Sequence, residues 1–157
     1  LIGAEFGGNL TVCIFSTVSE ASIVPSGALM IFWEQVAPLL QKAADKSLGR
    51  YNLEDIHDLL THYDYQLFVA YEHETILAAA VVNAQVYPRK TLLNVAFVGG
   101  VEPIEPWGPA LLDLLQVYAR GMGYDGIETQ ARLGWSKKLI DNGYSYKRVA
   151  EIFEIEI

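Results

Sequence analysis

The sequence predicts an α/β domain in which a mixed, mostly antiparallel sheet is flanked by helices. Three observations carry this. Helix-period stretches fill residues 31–60, three strand-period stretches with tight turns fill residues 66–98, and the last third alternates helix, strand, helix and strand. Phe32, Val36, Leu39, Leu40 and Ala43 fall at i, i+4, i+7, i+8 and i+11, one face of a helix with Pro38 inside it and Gly49 beyond its end. Asn52 is placed to cap a second short helix. Glu54 and Asp55 suit its positive end, and Leu53, Ile56, Leu59 and Leu60 form its apolar face.

From Gln66 the period changes. QLFVAYE, ILAAAVVNAQVY and TLLNVAFV read as three strands, joined by His-Glu-Thr and Pro-Arg-Lys turns into an antiparallel meander. A helix follows, with Leu111, Leu112, Leu115, Val117, Tyr118 and Met122 apolar and Gly121 or Gly123 at its end. DGIETQAR is a strand that returns after a helix, so it should pair in parallel with the third strand of the meander. GWSKKLIDN reads as a short helix stopped by Gly143. The tail YKRVAEIFEIEI reads as a half-buried strand, with Val149, Phe153, Ile155 and Ile157 opposite Arg148, Glu154 and Glu156.

With 157 residues, one domain is expected, and 52% apolar and 19% charged residues are those of a globular chain. A net charge of −8, with basic clusters no longer than Arg89-Lys90, Lys137-Lys138 and Lys147-Arg148, argues against nucleic acid as a partner. No apolar run approaches the ~18 residues of a membrane span. One cysteine, Cys13, cannot close an internal disulfide, so a reducing, cytoplasmic compartment is expected. Residues 1–29 contain no Lys or Arg, which does not fit a signal peptide. They read either as sequence upstream of a start at Met30 or as an extension with a strand near Leu10–Phe15. The domain proper is expected over 30–157.

The chemistry concentrates between Thr91 and Gly123. A strand ends in Gly99-Gly100, a loop VEPIEPWG follows, and a helix starts. Strand-to-helix junctions of this kind hold anionic groups on free backbone N–H groups at the helix N-terminus. Here the loop carries Glu102 and Glu105 and no Lys or Arg. Phosphate architecture is present with reversed electrostatics.

This order of elements resembles the GNAT acyltransferase superfamily over roughly residues 31–157. ALLDLLQVYARGMGYDGIETQA is similar to its central helix and following strand, and WSKKLIDNGYSYKRVAEIFEIEI to its last helix, Gly-aromatic pair and closing strands. PLLQKAADKSLGRYNLEDIHDLL, QLFVAY, YPRK and RLGWSKKLIDNGY resemble, more narrowly, small GNAT-like proteins encoded in phage genomes. Host cytoplasm or virion is then the expected location, with a virion or host protein as partner.

The resemblance implies an acyl-CoA site, with acetyl-CoA or another acyl-CoA as cofactor and a small amine as acceptor. Phe97, Val98, Gly99 and Gly100 match the splayed strand that holds the thioester and pantetheine. Gly108 is the one loop glycine in register. Pro103, Ile104 and Pro106 stand where the family has its Arg or Gln and its other glycines, and the two prolines lack N–H donors. Each loop carboxylate ~6 Å from a phosphate charge would cost about 3 kcal/mol at an effective dielectric near 20, on the order of a hundredfold in affinity. Arg132 could replace the missing positive charge. The family's frequent tyrosine acid falls on Leu139, which carries no proton, and Tyr144 and Tyr146 are nearby substitutes. Glu128 and His73 are the candidate bases for an amine.

The remaining constellations have plainer readings. His57 and His62 are five apart among acids, poor spacing for one helix face, and read as a solvated polar face with no metal. Trp135 reads as packing on the sheet or bordering the cleft. Trp107 either caps the core or plugs the groove where CoA would lie. Cys13 lacks a basic neighbour and is no nucleophile candidate. Two functions follow: a GNAT-like protein with a degenerate acyl-CoA site and a binding or assembly role, or an N-acetyltransferase with a divergent cofactor site.

Overall fold

The computed structural model describes residues 19–131, 134–141 and 143–155. In chain order these form β1 (Glu20–Val24), a 3-10 turn (Ser26–Ala28), α1 (Leu29–Ala44), α2 (Leu53–His62), β2 (Tyr65–Glu72), β3 (Thr75–Tyr87), β4 (Lys90–Gly100), α3 (Gly108–Gly121), β5 (Gly126–Thr129) and α4 (Gly134–Asp141). The sheet order is β1-β2-β3-β4-β5. All pairs are antiparallel except β4–β5, which is parallel as the intervening helix requires.

α1 buries Leu29, Val36, Leu39, Leu40 and Ala44 on one stripe and continues through Pro38. α2 starts in a capping box. The Asn52 side chain accepts from Asp55 N–H at 2.9 Å, and the Asp55 carboxylate accepts from Asn52 N–H at 2.8 Å. Asn52→Ala should therefore cost about 1 kcal/mol in a denaturant melt, and an unchanged midpoint would show that the cap contributes nothing.

Helices cover both faces of the central strands, which explains their near-continuous apolar sequences. On one face Leu67, Val69, Ala79, Val81 and Phe97 pack against α1 and α2. On the other, Phe68, Ala70, Ala78, Ala80, Val82, Leu93 and Val95 pack against α3, Ile104 and Trp107. The register between β3 and β4 shifts so that Val95 and Phe97 of β4 oppose Val82 and Val81, leaving Ala96 as an extra residue. That bulge puts both Ala96 and Phe97 on the α1 face.

Two segments differ from the sequence reading. β1 lies at residues 20–24, where no strand was expected; it pairs with β2, and its Val24 is buried. The expected strand near Leu10–Phe15 lies outside the described residues. The tail was expected to be a strand, yet residues 144–155 carry no regular structure, and Val149, Ile152, Phe153 and Ile155 are exposed. Its apolar residues break strict alternation at Ile152-Phe153. Arg148 and Glu151 form an ion pair at 2.7 Å within it, and Arg50 pairs with Glu154. Among the described residues no helix is long and apolar enough to cross a membrane.

Candidate functional site

β4 and β5 part company half-way along β4. Their pairing runs from Leu92↔Gly126 to Val95↔Thr129, and the Thr129 hydroxyl closes it by donating to the Val95 carbonyl at 2.9 Å. β4 continues alone on that side from Ala96 to Gly100. Val101 N–H bonds to Leu77 O on β3, so by strand alternation Val98 and Gly100 turn their backbone groups to the open side. This is the splay expected at Phe97, Val98, Gly99 and Gly100.

What surrounds the splay narrows its chemistry. A Cβ on Gly99 would lie 1.9 Å from the Leu39 carbonyl oxygen of α1, and one on Gly100 would lie 2.4 Å from Cζ2 of Trp107. The two glycines admit a helix backbone on one face and an indole on the other. Trp107 is 4% exposed, and its Nε1–H donates to the Val101 carbonyl at 2.8 Å. The Gly100 carbonyl accepts from Lys42 Nζ at 3.1 Å. Two acceptors at the end of β4 thus have protein donors.

The loop to α3 is folded inward. Ile104 is buried, and its carbonyl accepts from both Trp107 N–H at 3.1 Å and Gly108 N–H at 2.7 Å. A Cβ on Gly108 would meet Ile104 Cγ1 at 2.9 Å, so this glycine serves loop closure. Leu111 N–H bonds to Trp107 O, and Pro109 has no N–H. Among the described residues the first turn of α3 is left with Ala110 N–H as a donor for an anion. Glu102 forms an ion pair with Lys138 of α4 at 3.0 Å, so one of the two loop acids is less hostile to an anion than the sequence implied. A pyrophosphate needs several convergent N–H groups. The first turn of α3 by itself supplies one.

The other candidate residues are scattered. His73 sits in the β2–β3 turn with φ 54° and is exposed. The Tyr144 hydroxyl donates to Asp113 of α3 at 3.2 Å. Burial, then the Asp113 charge and this bond, push its pKa up, so it holds its proton firmly. Glu128 accepts from the Tyr87 hydroxyl at 3.0 and 3.2 Å, which raises the Tyr87 pKa and keeps that phenol a donor at neutral pH. Arg132 lies outside the described residues. Trp135 is half-buried against the α3 side of the core, with Lys138 Nζ 5.8 Å from its ring centroid. His57 packs edge-on against Trp33 at 4.6 Å.

Sequence reasoning missed Lys42, whose link to Gly100 spans 58 positions and leaves no local trace. It also passed over Asn83 and Asn94, although an amide in the middle of an apolar strand is a readable signal. These two face each other across β3 and β4, and Asn94 Nδ2 donates to Asn83 Oδ1 at 2.8 Å.

A parallel pair that splays beside a central helix, at the end of an antiparallel meander, matches solved acetyltransferases. An aminoglycoside acetyltransferase from an uncultured soil metagenomic sample superposes with a TM-score of 0.64 at 15% identity, covering 88% of this chain and 97% of that one. The fold is that of the GNAT acyltransferases. A ribosomal-protein-alanine N-acetyltransferase from Brucella melitensis biovar Abortus 2308 has a TM-score of 0.62 at 16% identity, covering 89% of this chain and 99% of that one. An integron cassette protein from the mobile metagenome of V. cholerae has a TM-score of 0.62 at 15% identity, covering 88% and 92%. No protein-family model and no curated protein matches the sequence. At these identities the GNAT likeness concerns the fold, and activity has to be argued from the site.

Proposed function

We propose that this chain is a GNAT-fold protein with a degenerate acyl-CoA site, acting by binding or assembly rather than by acyl transfer. One observation carries the reading: the β4–α3 loop is closed on itself, with Trp107 seated against Gly100 and the Ile104 carbonyl holding the N–H groups of Trp107 and Gly108. An anion arriving there would have to break those bonds, displace a buried indole and tolerate Glu105. The phage-type segments quoted above support a phage-encoded chain, with a virion or host protein as its partner.

The expected result is no release of CoA thiol from acetyl-CoA above the spontaneous rate with any of a panel of primary amines. Turnover that depends on enzyme concentration would overturn the reading. The alternative, an acyl-CoA-dependent N-acyltransferase acting on a small amine, is favoured by one feature. Among the described residues no strand pairs with β4 beyond Val95 on the β5 side, and Glu128 is one residue from the point where the two strands part.

A further inference from the structure

The C-terminal tail has the side chains of a buried strand and the exposure of a surface loop. Val149, Ile152, Phe153 and Ile155 are between 63% and 83% exposed, and among the described residues no strand pairs with them. Single exposed apolar residues are ordinary on a monomer, whereas a run of large ones marks a surface that meets a partner.

The Arg50–Glu154 ion pair fastens this tail to the loop between α1 and α2. Leu48 of that loop adopts φ 57°, a left-handed conformation that bulky side chains seldom take, and it is 81% exposed. The Ser47 hydroxyl holds the turn, accepting from Tyr51 N–H and donating to the Tyr51 carbonyl, both at 3.0 Å. Tyr51 packs edge-on against Phe97 with ring centroids 5.0 Å apart, yet remains 44% exposed. A leucine lifted into water on a held left-handed turn costs the monomer free energy. Leu48 and Tyr51 flank Arg50 in the chain, so the ion pair sets them beside the apolar tail as one patch.

Charge along the tail decides what covers this patch. Lys147 and Arg148 stand at its start, and Glu151 and Glu154 follow toward its end. Two such tails laid parallel would set arginine against arginine and glutamate against glutamate. Laid antiparallel, the basic end of each meets the acidic end of the other, with Arg148 opposite or diagonal to Glu154. The tail is therefore complementary to a second copy of itself in one direction only. Its ion pairs within the monomer, Arg50–Glu154 and Arg148–Glu151, are exposed and compete weakly.

We propose that the tail and the α1–α2 loop form an isologous dimer interface, in which residues 147–155 of two copies pair as antiparallel strands about a twofold axis. Val149, Ile152, Phe153 and Ile155 leave water against the second tail, with Leu48 and Tyr51 of each copy beside them. A bare two-stranded ribbon is marginal in water, and this apolar cover is what the pairing needs. The proposal stands apart from the reading of the cofactor arm, since a chain with an active acyl-CoA site would dimerise in the same way.

The test is sedimentation equilibrium of the full chain from about 1 to about 300 µM, where a monomer–dimer equilibrium is expected. Phe153→Asp should leave a monomer. Leu48→Asn, a residue suited to the left-handed turn, should weaken the dimer several-fold without lowering the melting temperature measured where the chain is monomeric. Arg148→Glu and Glu154→Lys should each weaken self-association about tenfold, because each sets like charges together at two symmetric places. Mixed in equal amounts, these two variants should form a heterodimer as tight as the parent dimer, since each supplies the charge that the other lacks. All four substitutions are at exposed positions, so their melting temperatures check the fold independently. A monomer at every concentration, a dimer unaffected by Phe153→Asp, charge variants that associate like the parent, or no rescue on mixing would each overturn the proposal. Acyl-CoA binding found separately would contradict the closed cofactor arm and leave this result standing.

Discussion

Trp107→Ala is expected to lower stability by about 3–5 kcal/mol, the usual cost of emptying a buried tryptophan site. Trp107 is 4% exposed and packs with Ile104 against the α3 side of the sheet. The substitution also orphans the Val101 carbonyl, which now accepts from its indole N–H. In a domain of this length the melting temperature should fall by roughly 10 °C. A fall of less than about 1 kcal/mol in a denaturant melt would mean that the indole does not plug the slot beside Gly100. The variant should not gain acyl-CoA affinity, because Pro103, Pro106 and Pro109 still supply no N–H groups to the loop.

Gly99→Ala should be nearly as damaging, by about 3 kcal/mol, for the opposite reason. Its methyl would sit 1.9 Å from the Leu39 carbonyl oxygen and 2.7 Å from the carbonyl carbon, so the backbone of α1 itself must move. Gly100→Ala meets a side chain instead, Trp107 at 2.4 Å, and Ala78 Cβ at 3.0 Å. Its cost should be smaller in the native background and should largely vanish beside Trp107→Ala. This gives a double-mutant coupling of about 1 kcal/mol or more. Additive effects of Gly100→Ala and Trp107→Ala would contradict the contact between them. The two glycines therefore have separable tasks, one toward α1 and one toward the β4–α3 loop.

Much of the fold was legible because the signals were local. The stripe from Phe32 to Ala43, the Asn52 cap and the apolar strands each declare themselves within a dozen residues, and the structure places α1, α2 and β2 to β4 on them. β1 was missed because five residues, Glu-Ala-Ser-Ile-Val, are too few to show a period. It becomes a strand only by pairing with β2. The tail had the pattern of a strand without a partner strand beside it, and pattern alone does not make a ladder.

The site was legible in part. Gly99-Gly100 were expected to admit a cofactor, and the structure sets the Leu39 carbonyl and the Trp107 indole against them, because residue type does not say what approaches. A cofactor, a helix and an indole all require the same missing Cβ. The prolines of the β4–α3 loop and its acids were visible in sequence. The inward fold of that loop onto Ile104 O, and the pairing of Glu102 with Lys138, depend on contacts between elements far apart in the chain. The Asn83–Asn94 pair exists only once the strand register is known, since its members lie on different strands.

In the proposed reading the β4–α3 loop, folded onto Ile104 and Trp107, closes the acyl-CoA site. Isothermal titration of the full chain with acetyl-CoA, with CoA and ADP at equal ionic strength as controls, tests it most directly. The closed loop predicts no heat of binding and no thermal shift at millimolar ligand. Saturable 1:1 binding in the micromolar range, shared by CoA and acetyl-CoA, would contradict it and restore the acyltransferase reading.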